Sequence, residues 1–189
     1  MALIVKKIAD ILTEVRDTLQ DQQQSRWSEQ ELFRYVDQAV RNVALTTRYN
    51  KINHTIHVAD PLQPGITDTF ELPYEAIEFY NIESEQPYEI MDARTIKFPD
   101  NEEEEVIVEY YAFPKRVVYG AVVDLEMDED LYDALKFFIL YRSYQKEAST
   151  ENIQKAQYFK GEYSSALSLH LTRWHGKFEV KSTRTEFLR

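Results

Sequence analysis

The spacing of the apolar residues changes twice along this chain of 189 residues. Apolar residues recur every three or four positions up to about residue 50, alternate through the middle of the chain, and return to the helical spacing near residue 128. A helical period buries one face of a helix, and strict alternation buries one face of a strand. The sequence therefore predicts an α+β protein: an antiparallel bundle of about four helices with an inserted antiparallel β module and an extended C-terminal tail.

Two helices are predicted before the first change of spacing, within an N-terminal hairpin of residues 1–50. The first helix carries one apolar stripe, formed by Ile4, Ile8, Leu12, Val15 and Leu19. It is expected to end near Asp21. Ser28 is predicted to cap the second helix, because Glu31 three residues later completes a capping box. Trp27, just before the cap, is interpreted as a structural anchor.

Short alternating runs, separated by turn residues, occupy residues 51–123. They are rich in Val, Ile, Tyr and Phe and are bounded by Pro and Gly, which is typical of antiparallel strands. The predicted strands cover 52–58, 69–72, 76–82, 88–91, 95–98 and 106–113. Their spacing favours a meander or a small barrel. Because an inserted module leaves and rejoins its host at one place, its two ends are expected to lie close together.

The helical spacing then defines a C-terminal hairpin over residues 124–172, divided near Ala148. Acidic residues at 128–130 are predicted to begin its first helix, where the helix dipole favours negative charge. Gly176 is expected to end any regular helix that reaches it. Residues 173–189 are therefore predicted to form an extended tail.

The negative charge is concentrated in the middle of the chain. The net charge is −11, from 33 Asp and Glu against 22 Lys and Arg. Residues 60–133 carry 21 acidic and 4 basic residues, whereas residues 166–189 carry 5 basic and 2 acidic ones. Since phosphate affinity comes from clustered Lys and Arg, a free-standing nucleic-acid binder is not expected. The uneven distribution of charge along the chain instead predicts modules that bind different partners.

The residue types that carry catalysis or bind metals are scarce or poorly spaced. The absence of cysteine excludes disulfides, thiol catalysis and Cys-based zinc sites. Four glycines are too few for a phosphate-binding loop or a dinucleotide fingerprint. His54 and His57 point to opposite faces of a strand, and His170 and His175 lie about 140° apart on a helix. We therefore expect no enzymatic activity, no metal and no cofactor.

No membrane association is predicted from the sequence. No run of apolar residues approaches the roughly eighteen that are needed to cross a bilayer. The start, Met1 to Val5 followed by two lysines, has too short an apolar run for a signal peptide. The protein is expected to be soluble.

Two helical blocks and the β region between them carry residue motifs in a defined order. The first block spans residues 8–39 and contains Arg26-Trp27-Ser28, Glu31-Leu32 and Val36-Asp37-Gln38-Ala39. The second spans residues 125–167 and contains Leu131-Tyr132-Asp133-Ala134-Leu135 and Phe138 to Tyr144. Between them lie Phe70 to Pro73 and Val108 to Pro114. In the order and spacing of these motifs, the chain resembles the head-to-tail adaptor family, also called connector or head completion proteins.

The resemblance implies a structural virion protein rather than an enzyme. Proteins of this family form a homo-oligomeric ring, typically dodecameric, beneath the portal protein. The ring extends the DNA channel and docks tail proteins on its nozzle or tail-tube side, and DNA passes through without specific binding. The implied location is the neck of the virion, between the capsid portal and the tail, after assembly in the host cytoplasm.

Two sets of residues are predicted to bind partners. The tail combines large apolar groups with basic ones, as is favoured in segments that order on binding. Its predicted portal-binding residues are Arg173, Trp174, Lys177, Phe178, Lys181, Arg184, Phe187, Leu188 and Arg189. The alternative is that Trp174 and Phe178 pack onto the subunit's own bundle.

The second predicted set is an acidic run formed by Asp100, Glu102, Glu103, Glu104 and Glu105. It is predicted to meet a basic surface of the next tail protein, where complementary charge fixes orientation. It is alternatively predicted to face the DNA channel, where negative walls keep phosphate from adhering. A third interpretation is a solvated strand edge that deters pairing with other strands.

Two functions of other classes remain as alternatives. An acidic DNA mimic or host-protein inhibitor would use the same negative module against a basic groove. The other alternative is a carboxylate-dependent hydrolase, but among 33 acidic residues some pair lies at a catalytic spacing by chance.

Overall fold

The computed structural model describes residues 3–57, 69–84, 87–98, 105–120, 124–146 and 149–175. Within them the protein is α+β, as predicted, with all strand pairs antiparallel. The helices are α1 (Ile8–Leu19), α2 (Glu29–Thr47), α3 (Glu129–Gln145) and α4 (Thr150–His175). The strands are β1 (Leu3–Lys7), β2 (Lys51–His57), β3 (Thr69–Glu71), β4 (Ala76–Glu83), β5 (Glu89–Ile90), β6 (Thr95–Lys97), β7 (Glu105–Ala112) and β8 (Asp124–Asp128).

The chain separates into two compact units. Residues 1–23 and 124–189 form one, here called the helical unit, and residues 24–123 form the other, the sheet unit. The predicted hairpin of residues 1–50 grouped α2 with α1, whereas α2 lies in the sheet unit. Contacts inside the sheet unit explain this grouping, because Arg48 at the end of α2 pairs with Glu78 of β4 at 2.7 Å.

The first helix begins later than its apolar stripe predicted. Ile4 lies in β1, which pairs antiparallel with β8 so that Ile4 stands opposite Met127. The assignment of Ile4 to the helix was wrong, and β8 was not predicted at all. Short apolar runs with β-branched residues suit a strand as well as a helix. The choice between the two depended on a partner strand remote in sequence.

The helical unit is held together by aromatic side chains of α3 and α4. Phe159 stacks on Phe137 and on Tyr144, with ring centroids 6.2 Å and 5.7 Å apart. Tyr163 meets Phe138 edge to face at 5.3 Å. Such offset and edge-to-face pairs add stability beyond the area that they bury. These contacts make α3 and α4 an antiparallel hairpin.

In the sheet unit, α2 begins as predicted. The Ser28 side chain accepts a hydrogen bond from the backbone N–H of Glu31 at 3.2 Å, which satisfies one of the free donors at the helix start. Trp27 is fully buried, and the guanidinium of Arg26 lies 4.5 Å from the centre of its indole. The structure therefore confirms Ser28 as the cap and Trp27 as an anchor.

The strands of the sheet unit form two three-stranded sheets, ordered β2-β7-β4 and β3-β6-β5. Each predicted strand is present. Of the two expected arrangements, a meander or a small barrel, the meander was wrong, because β7 lies between β2 and β4. Residues from both sheets share one buried core, formed by Leu72, Ala76, Ile96, Phe98, Val106, Val108, Tyr110 and Ala112. The two sheets therefore make one module.

The first and last strands of this module, β2 and β7, are neighbours. Just before β2, the backbone carbonyl of Asn50 accepts from the N–H of Ala112 at 2.9 Å, and the Asn50 side-chain amide donates to the Ala112 carbonyl at 3.0 Å. The module thus begins beside the end of its last strand, whereas its predicted end at residue 123 lies outside the described residues. In the part of the chain that the structure describes, no helix is long and apolar enough to span a bilayer.

Candidate interaction surfaces

The predicted portal-binding tail starts inside a helix. Arg173 and Trp174 lie in the last turns of α4, which continues to His175, so the prediction of an extended chain from residue 173 was wrong for these residues. Arg173 donates a hydrogen bond to the carboxylate of Asp130 at the start of α3, which gives the helix end a partner. The remaining predicted tail residues, Lys177, Phe178, Lys181, Arg184, Phe187, Leu188 and Arg189, lie outside the described residues.

A buried histidine lies beside this end of the helical unit. His170 of α4 is only 1% exposed. Burial lowers its pKa below the ordinary value, and Arg173 acts in the same direction. The carboxylates of Asp128 and Asp130 oppose this shift without reversing it. His170 is therefore neutral near neutral pH and belongs to the packing of the hairpin.

The predicted acidic run is only partly within the described residues. Glu105 begins β7, where its backbone pairs with His57 of β2. Asp100, Glu102, Glu103 and Glu104 lie outside the described residues. The charge difference between the units is nevertheless clear from the sequence. The sheet unit has 18 acidic and 9 basic residues, a net charge of −9, whereas the helical unit has 15 and 13, a net charge of −2.

One surface of the sheet unit combines exposed apolar groups with acidic ones. The strands β5 and β6 form a hairpin, and Ile90 at the end of β5 and Met91 after it are 53% and 56% exposed. Glu89 and Asp92 flank these two residues on the chain. We call residues 88–92 the hairpin tip. Exposed apolar side chains among charged ones are typical of protein-contact surfaces.

A second surface of the sheet unit is an open groove of about 640 Å³. It lies between the first half of α2 and the segment that follows β7. Its lining residues are Ser28, Gln30, Glu31, Phe33, Arg34, Asp37, Arg116, Val117, Val118 and Tyr119. The sequence analysis missed this groove, because its two walls lie about eighty residues apart in the chain.

The two walls of the groove are joined by Asp37. Its carboxylate pairs with the Arg116 guanidinium at 2.9 Å and accepts from the backbone N–H of Val117 at 3.0 Å. Phe33 of α2 and Tyr119 of the opposite wall meet edge to face, with ring centroids 5.6 Å apart. The groove is therefore braced by polar and aromatic contacts before any partner arrives.

The groove carries charges of both signs. Arg34 and Arg116 line it together with Glu31 and Asp37, and Asp37 pairs with Arg116. Lys115 is exposed next to the groove in the chain. Arg34 has no ion-pair partner among the described residues. Arg41 lies about two turns after Arg34 on α2. Its guanidinium lies over the Phe113 ring, 4.1 Å from the ring centroid. The helical spacing of Arg34 and Arg41 could have indicated a basic face of α2, but not the groove itself.

Neither metal binding nor a matched family accounts for these surfaces. Among the residues that the structure describes, no group of three or more His, Cys, Asp or Glu is placed to hold a metal ion. No protein-family model matches the chain, and no curated protein sequence matches it. The hairpin tip and the groove offer apolar area with charged borders, which is the chemistry of protein–protein contacts.

Proposed function

We propose that the protein is a structural component of a tailed-bacteriophage virion, a head-to-tail adaptor that forms a ring under the portal. In this role it extends the DNA channel and docks the tail. The observation that carries the proposal is the insertion of a strongly acidic sheet unit, residues 24–123, within the sequence of a nearly neutral helical unit. This order of elements agrees with the family resemblance of the two helical blocks and the β region.

The proposal keeps the finer architecture predicted from the sequence: a helical bundle, an inserted β module and an extended C-terminal tail. The pairing of β1 with β8 supports an insertion. β1 precedes α1 and β8 follows the sheet unit in the chain, and the two strands nevertheless lie side by side. The segment after His175 combines four basic residues with Phe178, Phe187 and Leu188. We assign to this segment, together with the end of α4, the contact with the portal protein.

The sheet unit is assigned to the tail side or the channel side of the adaptor. Its net charge of −9 suits a basic surface on the next tail protein, where complementary charge sets orientation. The same charge suits a channel wall that lets DNA pass without specific binding. The proposed location is the virion neck, after assembly in the host cytoplasm, with no cofactor, no catalysis and no membrane contact.

The decisive experiment is the native mass of the protein, alone and mixed with the portal protein of the same phage. We expect the adaptor to add to the portal in one fixed multiple of its 22.4 kDa mass. A matched variant truncated after His175 keeps the pair between Arg173 and Asp130. It should unfold at the same temperature and lose portal binding. Full binding by the truncated variant would assign the contact elsewhere, and no binding by the intact chain would contradict the adaptor role.

The acidity of the sheet unit also supports a second candidate, an acidic DNA mimic or host-protein inhibitor. It holds twice as many acidic as basic residues, 18 against 9, within one folded unit. Such a protein would compete with DNA for a basic groove and would need neither a ring nor a portal. Competition with duplex DNA for DNA-binding proteins of the host, measured beside portal binding, separates the two functions.

A further inference from the structure

We propose that the groove of the sheet unit receives the hairpin tip of a second copy of this chain. The contact would repeat from copy to copy and form the subunit interface of the ring. This inference deepens the proposed function and rests on its ring. It names the residues on both sides of the interface.

The groove supplies apolar walls and, in Arg34, an exposed positive charge. Val118 and Tyr119 on one wall are 61% and 54% exposed, although they line a concave surface beside Phe33. Arg34 stands on the other wall, exposed and without an ion-pair partner among the described residues. Covering the exposed apolar groups of this groove with another apolar surface removes them from water, which lowers the free energy. The groove therefore favours an apolar insert that carries negative charge at its edges.

The hairpin tip has these properties in a preformed shape. Asp92 accepts hydrogen bonds from the Arg94 backbone N–H at 2.7 Å and from the Thr95 hydroxyl at 2.9 Å, which fix the turn. Ile90 and Met91 are held exposed beside it. The carboxylate of Glu89 is exposed and has no ion-pair partner among the described residues. A rigid tip loses little conformational entropy on binding.

Charge complementarity selects a second copy as the occupant. Two sheet units of net charge −9 repel each other in most orientations. The orientation that sets Arg34 of one copy against Glu89 of the next adds an attraction that offsets part of this repulsion. The groove and the tip share no residue, so each copy retains a free groove or a free tip after pairing. Contacts between two different surfaces form rings when the rotation closes.

The absence of native cysteine allows a direct test by disulfide trapping. Tyr119→Cys places a thiol on the groove wall, and Met91→Cys places one on the hairpin tip. Mixing the two single variants under mild oxidation should give one heterodimer, and the double variant should give a ladder of oligomers. A matched control pairs Met91→Cys with Tyr158→Cys, because Tyr158 of the helical unit is 61% exposed and lies outside the groove. This control pair should give no more disulfide-linked heterodimer than the background level.

A charge reversal at Arg34 tests the role of charge, because Arg34 takes no part in the contacts of Asp37 with Arg116 and Val117. Arg34→Glu in the Tyr119→Cys chain should lower the heterodimer yield about fivefold, in line with the loss of one exposed charge pair. Adding Glu89→Arg to the Met91→Cys chain should restore the yield. The proposed pairing of Arg34 with Glu89 would be overturned if Arg34→Glu left the heterodimer yield unchanged, or if Glu89→Arg did not restore that yield.

Trapping on the portal separates this inference from the proposed function. If copies assemble on the portal but the two thiols do not join, the groove–tip contact is refuted while the adaptor role stands. If the thiols join but the portal does not bind, the contact stands and the adaptor role fails. A disulfide from Tyr119→Cys to a portal or tail thiol, in place of the tip, would assign the groove to that partner and overturn the inference.

Discussion

The helical unit and the sheet unit differ in net charge and in the way that they are packed. The helical unit is nearly neutral and packs the aromatic rings of α3 against those of α4. The sheet unit carries a net charge of −9, encloses one core between two small sheets, and exposes both the groove and the hairpin tip. Self-repulsion destabilises a compact acidic unit. Under the proposed function, the acidity of the sheet unit serves its contacts with partners.

The largest effect is expected from breaking the core of the sheet unit. Phe98 is fully buried and meets Phe70 at 5.9 Å, and Phe98→Ala should cost about 3–5 kcal/mol of unfolding free energy. Hydrogen exchange should show protection lost in β6 and β7 and kept in α3 and α4. Tyr74→Ala, at an 82% exposed site of the same unit, is the matched control and should change little. Equal loss of protection in both units would mean that they unfold as one.

The start of a helix offers a sharper comparison, since only α2 among the first three helices has a side-chain cap. Ser28→Ala should destabilise the sheet unit by about 1 kcal/mol, measured by urea unfolding. Lys7 occupies the equivalent position before α1 and makes no side-chain cap bond, so Lys7→Ala should cost much less. Similar losses for the two variants would show that the hydrogen bond of Ser28 adds nothing.

The two units should also respond differently to acid, because His170 is buried in the helical unit. Its pKa is lowered on folding, so below about pH 6.5 the unfolded chain binds more protons than the folded one. The contribution of His170 is therefore present at neutral pH and declines as the pH falls. The free energy of amide opening in α4, obtained from exchange rates corrected for the intrinsic pH dependence, should fall between neutral and mildly acidic pH, and His170→Gln should reduce this fall. An unchanged profile in the variant would contradict the assignment.

The smallest effect is expected from exposed ion pairs. Arg173→Ala in the helical unit and Arg48→Ala in the sheet unit each remove one partner of a pair that is partly exposed. Each should cost at most about 1 kcal/mol, and added salt should weaken the difference from the parent chain. Thermal unfolding at low and high salt measures both variants. A salt-independent loss would show that the arginine acts through packing.

Much of the sheet unit could be predicted from the sequence, because its signals are local. The alternation of apolar residues in β7 and the serine before α2 act within a few neighbours, and both predictions were confirmed in position. The order of the strands was not predictable in this way. β7 lies between β2 and β4, and that choice depends on how two sheets enclose Phe98 and Val106.

The candidate surfaces were harder to predict than the fold. The tail residues and the acidic run were chosen for their composition, and most of them lie outside the described residues. The groove has no composition signal, since Asp37 and Arg116 acquire their roles only when they meet at 2.9 Å. The hairpin tip was predicted as a strand, but the exposure of Ile90 and Met91 was not.

The sequence by itself determined the two changes of apolar spacing, the cap at Ser28 and the concentration of acidic residues in the middle of the chain. Tertiary structure alone decided that residues 3–7 pair with residues 124–128, that α2 joins the strands, and that Phe33 and Tyr119 form two walls of one groove. The reason is physical. Caps and periods depend on residues a few positions apart, whereas strand partners and grooves depend on which distant surfaces bury each other most favourably.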